Sequence, residues 1–164
     1  MSINKGFIGE LQHEAALTRK ILGAVPMDKR DWRPHPKSMT VGRLATHIAE
    51  TFNWTHAILT ADEFDFAARP SEPHTAASSE ELLGIFETNL QKALTALENA
   101  GDEAFGKIWT VKRGEQVLYQ TPKKVAVRGW GFSHMIHHRG QLSVFLRLLD
   151  VPIPGMYGPS ADER

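Results

Sequence analysis

Apolar residues recur at helical spacing along most of this chain. Phe7, Leu11, Thr18, Leu22 and Val25 follow three-, four- and seven-residue steps, which predicts an amphipathic helix over residues 3–25, closed by Pro26. A turn-rich link over 27–39 holds Pro34 and Pro36, and Trp32 within it is expected to pack over the end of the helices. Val41, Leu44, Ile48, Phe52 and Thr55 mark a second helix that starts near Ser38 or Thr40 and runs to about residue 59. A loop over 61–77 follows, with Pro70 and Pro73. Ser78 followed by Glu81 is a capping-box signature, and Leu82, Ile85, Phe86, Ala93 and Leu97 give the third helix its buried face, with Gly101 as its stop.

The period changes between residues 102 and 120. Short runs of β-type residues flank Arg113-Gly114, which predicts a small hairpin or an extended loop. Thr121-Pro122 then opens a fourth helix to about residue 149. Gly129, Gly131 and Gly140 within it point to close contact with a neighbour, a second subunit included. The tail over 151–164 is rich in proline and glycine and reads as irregular. Four long helices predict an all-α fold: one domain over 1–164, a four-helix bundle with a small irregular or hairpin insertion between its third and fourth helices.

Composition narrows the chemistry. Nineteen basic residues cancel nineteen acidic ones, so the chain lacks the broad positive field that draws proteins to nucleic acid or anionic membranes. No apolar run is long enough to span a bilayer and no secretory signal is visible, so the expected location is cytoplasmic. The absence of cysteine excludes disulfides, a protein thiolate and Cys-ligated metals, whereas eight histidines leave imidazole chemistry open.

His134 and His138 are four apart, hence on one helical face and able to share one ion. His137 is rotated away from that pair by roughly 60–100°. A third ligand must come from another helix, and His47, beside the buried stripe of the second helix, is the best candidate. Glu10-x-x-His13 has the spacing of a di-iron motif but occurs once, without the further glutamates such sites need. His35, His56 and His74 read as solvated link residues, Lys123, Lys124 and Arg128 as a solvated face, and Asn89 as a buried hydrogen-bonding residue. Arg139 and Gln141, beside the histidine pair, either orient a substrate anion or brace the fold, and bracing is the favoured role.

The run His134-x-x-His137-His138-Arg139-Gly140-Gln141-Leu142, the following Leu146-Arg147-Leu148-Leu149, and the tail from Pro152 to Glu163 resemble DinB-like proteins, the group that includes YfiT-type metalloenzymes. Leu44-Ala-Thr-His47-Ile-Ala-Glu through Trp54 is similar to the same family, so the resemblance covers essentially the whole chain. It implies a four-helix bundle, often homodimeric, with one divalent metal on His47, His134 and His138. Zinc and nickel are the leading ions. It also implies thiol transferase or hydrolase chemistry on a small electrophile. Any thiol is then a low-molecular-weight cosubstrate from outside, since the chain has none. The alternative is a metal-binding stress-response protein without turnover. No nucleic-acid or membrane partner is expected, and no catalytic residue beyond the ligands is assigned.

Overall fold

The computed structural model describes residues 2–68 and 72–163; Pro70, placed in the second link by the sequence, lies outside them. Helix α1 spans Ile3–Gly23 and packs along α4, Ser79–Asn99. The cap of α4 is the expected one: Ser78 accepts from the Glu81 backbone N–H at 3.1 Å. The Glu81 carboxylate reaches back to the Ala77 N–H at 2.7 Å, one residue before the reciprocal partner of an ideal capping box.

The expected second helix is two helices, α2 at Val41–Thr51 and α3 at Asn53–Thr60. The break falls where the Thr51 hydroxyl donates to the Ile48 carbonyl at 2.6 Å, competing with the helical ladder. Thr40 caps α2 by accepting from the Arg43 N–H at 3.2 Å. Gly42 is required by close approach. A Cβ there would lie 2.9 Å from the Arg30 Cβ and 3.0 Å from its carbonyl oxygen, which accepts the Gly42 N–H at 2.8 Å.

The fold is mainly helical, but it is not the all-α four-helix bundle that the periodicity predicts. A short helix α5, Asp102–Gly106, leads into a three-stranded mixed sheet in the order β1-β2-β3. Strands β2, Ile108–Arg113, and β3, Gln116–Pro122, form the expected hairpin, turning at Gly114 with φ +57°. The addition is β1, Glu63–Asp65, which pairs in parallel with β2 from within the link read as a loop. The sheet is a core element because β2 alternates inward: Trp109 and Val111 are buried. Trp109 packs with Trp54, Phe64 and Trp130 in one aromatic cluster. Lys123, expected on a solvated face, is buried and pairs with Asp62 at 2.8 Å, tying the last helical stretch to the start of β1.

That last stretch is α6, Lys123–Ala126, a π-helical segment at Val127–Ser133, and α7, His134–Leu148. Of its glycines, Gly131 is held against the chain's own α3, since a Cβ there would sit 2.8 Å from the Thr55 hydroxyl. Gly129 and Gly140 meet nothing within 4 Å. Arg139 braces the molecule. Its guanidinium is buried and donates to the Glu14 carboxylate at 2.6 Å, the Thr18 hydroxyl at 3.1 Å and the Tyr157 hydroxyl at 2.5 Å, and Tyr157 in turn donates to Glu14 at 2.9 Å. The tail is thereby pinned to α1 and α7, and Asp162 adds a second clasp by accepting from the Ile153 N–H at 2.8 Å and Arg147 at 2.6 Å. No helix among the described residues is long and apolar enough to cross a membrane.

Candidate metal centre

Helices α2 and α7 pack together and bring His47, His134 and His138 to one point. One ring nitrogen from each lies within 4.8 Å of the others, the only such group of potential metal ligands among the described residues. The Nε2 atoms of His47 and His134 are 3.2 Å apart. Two imidazoles on one tetrahedral zinc, at about 2.0–2.1 Å each, hold their nitrogens about 3.3 Å apart, so this pair already has a ligand spacing. The donor set therefore fits a metal ion.

The outward nitrogens are also held. The Gln141 side-chain oxygen lies 2.8 Å from His138 Nδ1, which donates to it. Glu50 Oε2 lies 3.7 Å from His47 Nδ1 and is itself clamped by Arg43 at 2.5 Å. The Trp130 backbone, within the π-helical segment, engages the His134 ring. Each partner favours a proton on the outward nitrogen and leaves the inward one with a free lone pair, the outer-shell arrangement found around metal-binding histidines. Glu50 stands three residues after His47, about one helical turn away, and that i,i+3 spacing is the signal in the sequence that marks it as a partner of the ligand.

The electrostatics favour the neutral form of His134 and His138. Burial, then the neighbouring rings of His138 and His47, push His134 down to about 4, against the raising effect of the Trp130 backbone. Burial also lowers His138, helped by His47 and His137 and opposed by Gln141. Burial alone would raise Glu50, but His47 and Arg43 beside it outweigh that and hold its carboxyl below the usual range. For His134 the folded value lies below the unfolded 6.5, so the unfolded chain binds more protons between the two. Metal-free protein is thus expected to lose stability as pH falls from about 6.5 towards 4, and a bound divalent ion to oppose that loss. Urea unfolding at stepped pH, with and without zinc, measures both.

The remaining histidines stand apart. His137 packs its ring 5.0 Å from that of His138 but does not join the group. The carboxylate of Glu10 is taken by Arg128, so Glu10-x-x-His13 forms no metal site. His74 pairs with Glu81 at 2.7 Å, and His35 accepts the Lys37 N–H at 3.1 Å. Beside the triad lies a cavity of about 320 Å³, walled by His47, Glu50, Asn53, Trp54, Phe64 and Asn89. Asn89 makes the expected hydrogen bond, donating to the Ala49 carbonyl at 3.1 Å, and also lines this cavity.

Comparison with known proteins agrees with this architecture. The model of the DinB family matches residues 1–164. The protein YrdA of Bacillus subtilis is 24% identical over 161 residues, covering 96% of this chain and 89% of its own length. A crystal structure of a DinB-like protein from Bacillus cereus superposes with a TM-score of 0.75 at 19% identity, covering 95% of this chain and 98% of the other. The DinB-like protein YjoA of Bacillus subtilis gives 0.69 at 17% identity, with 96% and 97% covered.

Proposed function

This chain belongs to the DinB family, and on that premise we propose that it is a divalent-metal-dependent enzyme that directs an exogenous thiol or water at a small electrophile. The observation that carries this reading is a pre-oriented histidine triad beside a cavity with polar and aromatic walls, one of which His47 itself forms. When bound, a zinc or nickel ion there supplies Lewis acidity, which makes a thiol or water a better nucleophile at neutral pH.

The chain's own residues do the rest. His47, His134 and His138 offer three imidazole donors that would hold a divalent ion without neutralising its charge. Glu50 holds His47 from outside, and Arg43 fixes Glu50. Asn89 donates to the Ala49 carbonyl and adds a polar side chain to the cavity wall. Trp54 and Phe64, packed at 4.7 Å between ring centres, form an apolar wall that excludes water from one side.

The test is a screen of zinc- and nickel-loaded protein against low-molecular-weight thiols paired with alkyl halides, epoxides and activated esters. Turnover is expected to require metal and to vanish in His138→Ala. A fully loaded protein that turns over nothing in the panel would favour the binding-protein alternative.

A further inference from the structure

A second feature lies on the far side of Arg43. The link after α1 folds back on the first turn of α2 and encloses a hollow of about 440 Å³, lined by Arg30, Arg33 and Arg43 with Ser38, Thr40 and Thr75. Three guanidiniums around one hollow are unusual in a chain whose charges cancel overall. Arg43 is committed to Glu50 and to the His74 carbonyl. The other two are not tightly matched. Arg30 reaches the carboxylate of Asp31 at 3.9 Å and donates to the Ala77 carbonyl at 3.3 Å, and Arg33 donates only to the Pro36 carbonyl at 3.4 Å. The hydroxyls of Ser38 and Thr75 have no hydrogen-bond partner among the described residues. The backbone amides at the start of α2 are already taken by Trp32, Arg30 and Thr40, so the helix terminus itself offers no free donors. Beside the Asp31 carboxylate, the hollow presents three guanidiniums and the hydroxyls of Ser38, Thr40 and Thr75, the donor set that recognises an oxyanion.

The hollow adjoins the histidine group through shared walls. It shares Met39, Arg43 and Pro73 with a neighbouring groove of about 570 Å³, and that groove shares His47 and Glu50 with the cavity beside the triad. Glu72, which lines the middle groove with Glu50, sets a negative stretch between the two ends and favours an anion at the basic end over one midway. Arg30 packs on Gly42, five residues before His47, which is roughly 8 Å along the helix axis.

We propose that the hollow of Arg30, Arg33, Ser38 and Thr75 binds an oxyanion, phosphate or carboxylate, carried on the substrate or cosubstrate on the order of 10 Å from its reacting atom. The link to substrate rests on the enzymatic reading above; the binding of the anion does not, because none of these residues belongs to the triad.

Calorimetric titration of metal-free protein with phenyl phosphate, benzoate and inorganic phosphate tests the site without turnover. Saturable binding of phenyl phosphate or benzoate is expected, and whichever binds more tightly names the oxyanion. Arg33→Gln and Arg30→Gln should each weaken it about tenfold, while Arg113→Gln, on the distant hairpin, should leave it within about twofold. Arg33 is exposed and makes one weak contact, so its variant keeps the test decisive if Arg30→Gln perturbs the link. Binding of inorganic phosphate alone, equal binding by all variants, or no saturable binding would each overturn the proposal. A missing turnover in the thiol screen, with anion binding intact, would instead strike only the enzymatic reading.

Discussion

Arg139→Ala is expected to destabilise the protein by about 3–5 kcal/mol, the usual result of stripping one partner from a buried ion pair. The reason is what stays behind. Glu14 is 5% exposed, and without the guanidinium its carboxylate keeps only the Tyr157 hydroxyl as a partner. The loss would show as a lower urea midpoint and a melting temperature reduced by roughly 2–4 °C per kcal/mol. Tyr157→Phe, which removes one hydroxyl and leaves the ion pair, should cost only about 1 kcal/mol. Because a buried pair gains little net stability over apolar replacements, Arg139→Met combined with Glu14→Leu should recover most of the loss. A single Arg139→Ala variant within 1 kcal/mol of the parent would show that the network does not carry this weight.

The largest effect on metal binding is expected from the triad. His47→Ala, His134→Ala and His138→Ala should each weaken zinc or nickel binding by more than the roughly 10–100-fold typical of removing an outer-shell partner. Glu50→Gln and Gln141→Ala should fall within that range, since they orient ligands without donating to the ion. His137→Ala should leave affinity unchanged. Competition against a chromophoric chelator ranks all six variants on one scale. The assignment fails if His137→Ala weakens binding as much as His138→Ala does, because rotation about α7 would then be misjudged.

The residues show why some of this was legible in sequence and some was not. Helical period and the four-residue spacing of His134 and His138 are local, and His47 could be placed beside a buried stripe without knowing its partner. The hairpin was also local, because Gly114 marks its turn. Strand β1 was not: three residues show no period, and its pairing with β2 joins Glu63 to Thr110, a contact that no local pattern records. The break at Phe52 was hidden because the apolar stripe runs straight through it, while the cause, the Thr51 hydroxyl, is a single side chain. Lys123 looked solvated because its partner, Asp62, is remote in sequence. Arg139 was the opposite case: the helical phase that sets it one residue past His138 turns it from the triad towards α1.

The π-helical segment at Val127–Ser133 carries one more consequence. A wide turn of this kind accommodates an extra residue within an otherwise continuous helix, and each residue advances the helix by about 100°. The stretch before it is anchored by Lys123 to Asp62, the segment itself rests on Thr55 through Gly131, and the stretch after it is anchored by Arg139 to Glu14. The two anchors are thus out of phase, and the wide turn is what reconciles them. For this centre the number of residues between Lys123 and His134 matters as much as their identity. A one-codon deletion there would make the helix more regular and turn the histidine pair away from His47, a loss of site that no ligand substitution would reveal.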